Sequence, residues 1–298
     1  MRAYVIGNIA LDETYSVSNL PAPGASIFGH ESSRDLGGKG CNQAMVMART
    51  GLFTTLTAAI GTDNRASSIR DRLSREPLRK DLVEIQEKSS DLSIILTTPD
   101  GENAIITTTS CAEALRPADA EQALHAAQAG DLLVLQGNLS REASLAALQT
   151  ARDKGLLTAF NPSPLRPWFS ELWPLVNIVF LNRGELLSIA GSGNEAGAHQ
   201  LLSKGPRHIV LTLGKEGSQL VTLQDAILVP AAPAEAIDTT GAGDCFMAVA
   251  LASAARREVS LDARALCHAA QAAAMTVSRK GTQAAFPSEQ QLAAILSE

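Results

Sequence analysis

Short, almost continuous apolar segments alternate along this chain with segments of helical amphipathic spacing. Such near-continuous runs are typical of parallel strands that are buried on both faces of a sheet. The apolar segments are residues 3–9, 55–61, 131–138, 155–164, 177–182 and 207–214. The segments with helical spacing are residues 41–51, 118–130, 140–155 and 195–205, each ending near a glycine. The alternation predicts an α/β fold with a mainly parallel sheet.

Two segments do not fit this alternation. In residues 92–109, two β-branched runs flank Pro99-Asp100-Gly101, which predicts an antiparallel hairpin. Residues 13–35 are polar and rich in turns, yet patterned enough to supply further strands. We therefore expect a small β-sheet lid over one end of the main sheet, with strands from about 12–35 and 92–110. No interdomain linker is evident, so residues 1–298 are expected to form a single domain.

Composition excludes several classes of function. The 25 Lys and Arg against 31 Asp and Glu, a net charge of −6, give no reason to expect a nucleic acid or an anionic membrane as partner. The cysteines at 41, 111, 245 and 267 form no CxxC pair, which argues against a zinc site and a disulfide framework. No apolar run approaches the roughly 20 residues of a membrane span. We expect a cytoplasmic protein that acts on a small molecule.

The stretch DTTGAGDCF (238–246) opens a long Ala-rich apolar run. Gly241 and Gly243 would each cost about 1 kcal/mol relative to Ala inside a helix, so the backbone here must turn or approach something closely. Unpaired N–H groups in a first helical turn make this stretch a candidate anion site. Asp244 would repel a bound anion unless it handles a proton or a cation. The alternative is an ordinary N-cap within 238–240 and an acid that serves only the helix dipole.

A second glycine-rich stretch is GGKGCNQA (37–44). Its three glycines would let the backbone approach a ligand, Lys39 offers a compact cation, and Asn42 offers an amide in the first helical turn. The Walker A pattern fails, because position 33 is serine and position 40 is glycine, so a P-loop NTPase is excluded here. The alternative is a glycine-rich turn with a solvated lysine.

Short polar residues follow the predicted strands. In open α/β sheets, ligands bind at the carboxyl ends of the strands. The residues there are Asn8, Asp12, Gln136, Asn138, Asn161, Asn182, Glu185, Thr212 and Gly214. Each one alone could be a turn residue, but the whole set on one rim favours a binding site. The turn at 212–217 could lie against a flat purine nucleotide.

Together, GGKGCNQA and DTTGAGDCF resemble the two signature motifs of the ribokinase-like (PfkB-type) carbohydrate kinases, and the pattern is closest to that of the ribokinases. The similarity continues through NPSP, NRGE, TLGKEG and SRKGTQ. The resemblance implies a three-layer, doubly wound fold. It also implies ATP-dependent phosphorylation of the primary hydroxyl of a small sugar, with D-ribose as the leading sugar.

The resemblance implies a role for each matching residue. Gly241, Ala242 and Gly243 would form the anion hole, and Asp244 would be the base that takes the proton of the sugar hydroxyl. The sugar contacts would be Asp12, Gly38, Lys39, Asn42 and Asp244. The nucleotide contacts would be Asn182, Glu185, Thr212, Gly214 and Gly217. Glu185 would help to organise the magnesium and the phosphates, although it could also be only a first-turn acid that serves the helix dipole.

Ions and a second subunit also follow from the resemblance. Mg²⁺ is expected to keep several waters and to bind mainly the ATP oxygens. Many members also hold K⁺ beside the anion hole, largely through backbone oxygens. The matching positions are Asp238, Thr240, Thr276, Arg279 and Gly281. The lid strands of such kinases often pair between subunits, which implies a homodimer.

Two positions depart from the ribokinase pattern. Ala10 stands where ribokinases have Asn, and Gly137 or Asn138 stands where they have a Glu contact. Each lost group would cost about 1 to 3 kcal/mol for a substrate that used it. A phosphorylated substrate would need cations beyond Lys39 and Arg166, and a nucleoside would need an aromatic for stacking in a chain with 4% aromatics. A free monosaccharide is favoured, with a nucleoside kinase or a non-catalytic sugar-sensing homologue as alternatives.

Two cysteines adjoin the motifs. Cys41 lies in the first motif and Cys245 in the second. The sequence leaves open whether their oxidation would affect activity, but cysteine as a small buried hydrophobe is the favoured interpretation.

Overall fold

The computed structural model describes residues 1–100 and 102–298, in which thirteen strands and nine α-helices lie. The strands are β1 (Ala3–Ile6), β2 (Ala10–Val17), β3 (Gly29–Gly37), β4 (Thr54–Ile60), β5 (Arg79–Glu84), β6 (Leu92–Thr97), β7 (Asn103–Thr107), β8 (Leu132–Gln136), β9 (Leu157–Asn161), β10 (Ile178–Asn182), β11 (His208–Thr212), β12 (Ser218–Val221) and β13 (Ala226–Val229). The helices are α1 (Lys39–Arg49), α2 (Asn64–Leu73), α3 (Pro117–Ala123), α4 (Arg141–Asp153), α5 (Arg183–Ala190), α6 (Glu195–Leu202), α7 (Ala242–Arg257), α8 (Ala263–Val277) and α9 (Glu289–Ser297).

The main sheet contains nine strands in the order β13-β12-β11-β10-β9-β8-β1-β4-β5. The strands from β11 to β5 pair in parallel, whereas β12 and β13 extend one edge in antiparallel fashion. The strand order departs in opposite directions from β1, towards β4 on one side and β8 on the other. A crevice for ligands is expected beyond the carboxyl ends of β1 and β8 at such a switch point.

Helices cover both faces of this sheet. Along β1, Ala3 and Val5 join the core beneath α1, α2, α7, α8 and α9, while Tyr4 and Ile6 join the core beneath α3 to α6. Because alternate side chains enter different cores, both faces need apolar residues, and the strand becomes a continuous apolar run. The predicted three-layer α/β fold is confirmed.

Some elements differ from the sequence-based prediction. The edge strands β5, β12 and β13 were not predicted. Helix α3 ends at Ala123, although helical spacing continues to residue 130. Past this point the amides of Leu124, His125 and Ala127 bond to carbonyls three residues back, so the chain continues in tighter turns rather than as an α-helix.

A second sheet of four strands, in the order β3-β2-β6-β7, forms the lid. The predicted hairpin is present, because β6 and β7 pair antiparallel, but Gly101 of its predicted turn lies outside the described residues. Strand β2 begins at Ala10, two residues earlier than expected, because Ala10 and Leu11 pair with Gly37 and Leu36 of β3. Across the described residues, every helix is too short or too polar to cross a membrane.

Candidate active site

The first helical turn of α7 supplies open backbone donors. Gly241 is its N-cap with a φ of 76°, and a Cβ there would lie 2.9 Å from the Phe286 ring. The N–H groups of Gly241, Gly243 and Asp244 donate to no acceptor in the described chain, as expected of a helix N-terminus. A Cβ at Gly243 would meet nothing within 4 Å, so the space before this turn is open. The tip of α7 is therefore free to receive an anion.

Asp244 joins the two glycine-rich motifs. It is only 6% exposed, and each of its carboxylate oxygens accepts one hydrogen bond from α1. Asn42 donates its Nδ2 to Oδ2 at 3.0 Å, and Gln43 donates its Nε2 to Oδ1 at 2.9 Å. The predicted base thus lies against the helix that begins with Lys39, although some 200 residues separate the motifs, the spans being 202 and 201 residues.

The first glycine-rich stretch packs on the end of β1. Gly38, the N-cap of α1, has a φ of 91°, and a Cβ there would lie 2.9 Å from the Asn8 carbonyl oxygen. A Cβ at Gly40 would lie 2.8 Å from the Gly7 Cα. The Gly40 amide donates to Asn8 Oδ1 at 3.2 Å. The close approach that these glycines allow is therefore to the protein's own backbone, and it leaves Lys39 half-buried at the first helical position.

Asp12 lies buried on β2 beside the same loop. A Cβ at Gly37 would overlap its carboxylate, at 2.0 Å from Oδ1, and Thr282 donates its hydroxyl to Oδ2 at 3.3 Å. Burial is the main reason that the pKa of Asp12 rises to about 6, although hydrogen bonds from Ser93 and Thr282 oppose it.

Four buried oxygens around α1 and the end of β8 have no hydrogen-bond partner within the described residues. Buried polar atoms are almost always paired, so each of these oxygens indicates a missing donor. We call them the acceptor cluster: Asp12 Oδ1, Asn42 Oδ1, Gln136 Oε1 and Asn138 Oδ1. At the two positions that depart from the ribokinase pattern, Ala10 is fully buried, and a side chain on Gly137 would strike the Pro164 carbonyl at 2.2 Å. Asn138 thus supplies the only side chain there.

A cleft of about 710 Å³ opens between the lid and the loops beside α7. We call it the lid cleft. Its lining is rich in hydroxyl groups, with Thr14, Ser16, Ser33, Thr97, Thr239, Thr240 and Thr282 among the residues that bear them.

A second cavity, of about 500 Å³, adjoins the lid cleft at Ala236 and Thr239 and reaches Ala242 and Gly243 at the α7 tip. We call it the alanine cavity, after Ala232, Ala234, Ala242, Ala270, Ala273 and Ala274 in its lining. Three predicted nucleotide contacts, Thr212, Gly214 and Gly217, line it together with Gly243. A Cβ at Gly214 would meet nothing within 4 Å, whereas at Gly217 it would lie 2.1 Å from the Val229 carbonyl oxygen.

Asn182 and Glu185 do not line that cavity. They form a reciprocal capping box at the start of α5, in which each side chain accepts from the other's amide at 2.8 Å. Asn182 is the registered neighbour of Thr212, so the pair still lies on the same rim as the alanine cavity. The capping box accounts for both residues without a ligand, and their nucleotide role stays a prediction.

The residues predicted to hold K⁺ come from the loop before α7, from the last turn of α8 and from the loop that follows α8. The Asp238 carboxylate accepts the Thr240 amide at 2.9 Å and the Gly281 amide at 3.1 Å, which ties the loops together. Thr276 is buried and bonds to Ala272, and the Arg279 guanidinium points to the Ala285 carbonyl at 3.4 Å.

A scan against family models matches residues 2–289 to the pfkB family carbohydrate kinase model. The chain belongs to the PfkB family of carbohydrate kinases. It is 29% identical over 294 residues to the ribokinase of Staphylococcus aureus strain COL, an alignment that covers 96% of each chain. It also matches a bifunctional ribokinase/ribose-5-phosphate isomerase A of Fructilactobacillus sanfranciscensis, 26% identical, and spans 99% of its own length but 56% of that protein.

Solved structures of ribokinases are similar to this chain over nearly its whole length. The ribokinase of Giardia lamblia superposes with a TM-score of 0.89 at 25% identity, over 99% of this chain and 98% of that one. The Arabidopsis thaliana ribokinase, solved with ribose and ATP, superposes with a TM-score of 0.84 at 21% identity, over 100% and 99% of the two chains. The latter likeness supports the fold alone.

The metals implied by the PfkB family can be tested against the donors present. Within the described chain, no three His, Cys, Asp or Glu side chains cluster as metal ligands. Glu185 uses only Oε2 in its capping box, so its other oxygen suits a role near Mg²⁺. The carbonyl oxygens of Thr240, Arg279 and Gly281 accept no hydrogen bond from the described residues. Hard oxygens of this kind fit a potassium ion.

The two cysteines of the PfkB motifs are sealed from solvent. Burial raises the pKa of Cys41, and burial raises the pKa of Cys245 to about 12. Both thiols therefore stay protonated, and the thiolate form that reacts with oxidants is suppressed.

The structure gives contacts to three residues for which the sequence indicated no specific role, although Gln136 was among the predicted rim residues. Gln43 contacts the predicted base, Gln136 contacts Gln43, and Thr282 contacts Asp12. Gln43 was visible within GGKGCNQA, but nothing in the sequence indicated that it meets Asp244. Thr282 lies within SRKGTQ, but nothing in the sequence indicated that it reaches Asp12, which is 270 residues away.

Proposed function

We propose that this protein is an ATP-dependent kinase that phosphorylates a hydroxyl group of a neutral sugar, with D-ribose as the first substrate to test. The observation that carries the proposal is the position of Asp244. Its carboxylate lies at the open amide tip of α7 and is held by two amides of α1, beside the acceptor cluster. A base next to an anion site is useful when the nucleophile passes between them.

The reaction follows from this arrangement. The sugar hydroxyl oxygen attacks the γ-phosphorus of ATP and forms a new O–P bond. The bond from that phosphorus to the β,γ-bridging oxygen breaks, and ADP leaves. The hydroxyl proton passes to Asp244, while the N–H groups at the tip of α7 donate to the oxygens of the transferring group.

The acceptor cluster favours a neutral polyol. Its four oxygens need donors, and sugar hydroxyls supply them, whereas a second phosphate or a carboxylate would be repelled. Arg166 could have neutralised such a group, but it pairs with Glu113 at 2.6 Å. Lys39 remains as the one cation among the predicted sugar contacts, which suits a single approaching anion.

D-ribose is preferred because a relative that matches nearly the whole chain is the ribokinase of Staphylococcus aureus. The chain departs from the ribokinase pattern at Ala10 and at Asn138. Asn138 offers an acceptor where ribokinases have glutamate, so one of the two lost contacts is partly restored. Ala10 offers none, so a sugar that does not use this contact is the first alternative.

The alanine cavity is proposed to hold the adenine nucleotide. Thr212, Gly214 and Gly217 line it, and Gly243 brings it to the tip of α7. Glu185 would support Mg²⁺, which when bound offsets phosphate charge. The carbonyls of Thr240, Arg279 and Gly281, with Asp238 and Thr276 behind them, would hold K⁺, which when bound adds positive charge beside the anion hole.

A nucleoside kinase is the second candidate within the family. The described lining of the lid cleft contains no aromatic side chain on which a base could stack, which disfavours it. A sugar sensor without transfer activity would need neither Asp244 nor an open α7 tip.

The lid is also proposed to pair with that of a second copy. Phe28 is 98% exposed and Ile106 is 66% exposed, both on lid segments. Association with a second lid would remove these apolar side chains from water.

The test is ADP release from a panel of pentoses, hexoses, sugar acids and nucleosides, with Mg²⁺ and with or without K⁺. The proposal expects turnover with a neutral sugar, and first with D-ribose. A nucleoside as the best substrate would support the second candidate.

Asp244→Asn serves as the matched control for contaminating kinases, because it keeps the size of the side chain. ADP release that survives in this variant would not belong to the protein. Sugar binding without any ADP release in the parent protein would favour the sensor.

A further inference from the structure

A continuous line of side chains leads from Asp244 to the end of β8. Gln43 donates its Nε2 to Asp244 Oδ1 at 2.9 Å, and Gln136 donates its Nε2 to Gln43 Oε1 at 2.8 Å. Both glutamines are 1% exposed. We call this line the amide relay. It connects three elements, because Asp244 lies on α7, Gln43 on α1 and Gln136 on β8.

The charge of the carboxylate fixes the direction of every donor in the relay. An ionised Asp244 only accepts hydrogen bonds, so Gln43 must present its NH₂ group to it. The oxygen of Gln43 then faces Gln136, which must present its own NH₂ group. Gln136 Oε1 is left at the far end, buried and without a partner in the described chain.

The far end is held by backbone packing. A Cβ at Gly7 would lie 2.0 Å from Gln136 Oε1, so the absence of a side chain at Gly7 makes room for this amide. If either glutamine amide turned away from its partner, buried polar atoms would be left without hydrogen bonds. Other orientations of the two side chains are therefore unfavourable.

We propose that Gln43 and Gln136 are positioning residues for the base. Gln43 orients the Asp244 carboxylate and Gln136 orients Gln43, so that the base is held in place through one line of hydrogen bonds. Since Asn42 holds the other oxygen, both oxygens keep a lone pair for the incoming hydroxyl. The inference rests on the proposed function for its kinetic consequences.

The first experiment compares Gln43→Met, Gln136→Met and the double variant. Methionine keeps the length of glutamine without its amide. Loss of orientation at a reacting group costs up to about 100-fold in rate, so we expect kcat for the best sugar to fall about 10- to 100-fold in Gln43→Met, with KM for ATP unchanged. Gln136→Met should lower kcat less, with KM for the sugar unchanged, because Gln136 acts on the base through Gln43.

The double variant tests whether the two glutamines act in series. If Gln136 acts on the base only through Gln43, the double variant should have the kcat of Gln43→Met alone. If the fold losses in kcat of the two single variants instead multiply in the double variant, the two glutamines act independently and the relay is overturned. Gln43→Glu keeps the acceptor for Gln136 but removes the donor to Asp244, so it should lose at least as much as Gln43→Met, and wild-type turnover in it would also overturn the proposal.

Ser253→Ala is the matched structural control. Ser253 is a buried residue of α7 that bonds to His268 at 2.8 Å, away from the base. Its loss should lower thermal stability and leave kcat unchanged. If the glutamine variants behave in the same way, their role is only structural, and the inference is wrong.

A crystal structure of Gln43→Met separates this inference from the proposed function. The relay predicts that the Asp244 carboxylate leaves its present orientation, whether or not the protein phosphorylates a sugar. An unmoved carboxylate would overturn the inference even in an active kinase. A parent protein that consumes no ATP with any sugar would overturn the proposed function but not this structural result.

Discussion

The lid cleft side and the alanine cavity side of the α7 tip are built from opposite chemistry. The lid cleft has a hydroxyl-rich wall, and Thr282 of this wall donates to Asp12 of the acceptor cluster. The alanine cavity is lined by small apolar side chains of α7, α8 and residues 231–236, with glycines at one edge. Among the described residues, buried oxygens without a partner are more numerous around α1, where there are four, than beside the alanine cavity, where Ser218 Oγ next to Gly217 lacks one.

The difference shows how the two proposed substrates would be distinguished. Unpaired buried acceptors discriminate strongly, because a ligand without matching donors leaves them unsatisfied. An apolar cavity discriminates by shape, and each misplaced methyl changes binding by only about 1 to 3 kcal/mol. The sugar side should therefore determine specificity, while the nucleotide side should tolerate change. Five predictions test this contrast, from the largest expected effect to the smallest.

Asp244→Asn should have the largest effect. Removing a general base lowers the rate by about 100- to 10,000-fold, so kcat should fall into this range while ATP binding by calorimetry stays unchanged. The amide keeps the shape of the side chain, and the fold should be retained. If kcat with the preferred sugar changed less than tenfold, Asp244 would not be the base.

Asp12→Asn should weaken sugar binding about 10- to 100-fold, because a hydrogen bond to a charged group is worth about 1.5 to 3 kcal/mol. The pKa of Asp12 is about 6, raised mainly by burial, and sugar donors favour its ionised form. The KM for the sugar should therefore rise as the pH falls through about 6 and level off above 7. In Asp12→Asn this pH dependence should vanish, and its persistence would assign it to another group.

Gly243→Ala and Gly241→Ala separate the anion site from the fold. At Gly243 a methyl meets nothing within 4 Å, so stability should hold, while kcat should fall about tenfold as the methyl enters the space before the open amides. At Gly241 the φ of 76° and the Phe286 contact should cost about 1 to 2 kcal/mol of unfolding free energy. Equal effects of both variants on denaturation would contradict this distinction.

Ala273→Leu should change only the nucleotide side. The larger side chain reduces the alanine cavity, so KM for ATP should rise several-fold while KM for the sugar stays constant. Cys267→Leu, on the exposed face of the same helix, is the matched control. A change in sugar KM in Ala273→Leu would show that the two sides are not independent.

Thiol modification should have the smallest effect. Cys267 is exposed, whereas Cys41, Cys111 and Cys245 are buried. A thiol reagent should label one cysteine per native chain without loss of activity, and all four after denaturation. Inactivation before labelling of Cys267 would reveal access to a motif cysteine.

The regular core could be predicted from the sequence, and its edges could not. Buried parallel strands such as β8 and β10 can be recognised in the sequence as continuous apolar runs, because both of their faces contribute to a core. Strand β5 reads RKDLVE, with little burial, so its place depends on its neighbour β4 rather than on its own composition. Lid strand β3 is similarly polar and pairs with β2 across a turn-rich segment.

In the candidate site, the sequence located the motifs but not the contacts between them. Asp244, Asn42 and Lys39 were assigned within their own short stretches. That Asn42 and Gln43 hold Asp244, or that Thr282 reaches Asp12, depends on helices packing side by side. Asn182 and Glu185 show the opposite case, because their spacing indicated a shared helix start and the structure places them in a capping box.

The sequence by itself determined the alternation of strands and helices, the two glycine-rich turns and the family, because these depend on residues that are near neighbours in the chain. Only the tertiary structure decided which buried polar atoms are paired and which have no hydrogen-bond partner among the described residues. Hydrogen-bond satisfaction is a property of three-dimensional neighbours, and here the decisive neighbours lie as far apart as Asp12 and Thr282.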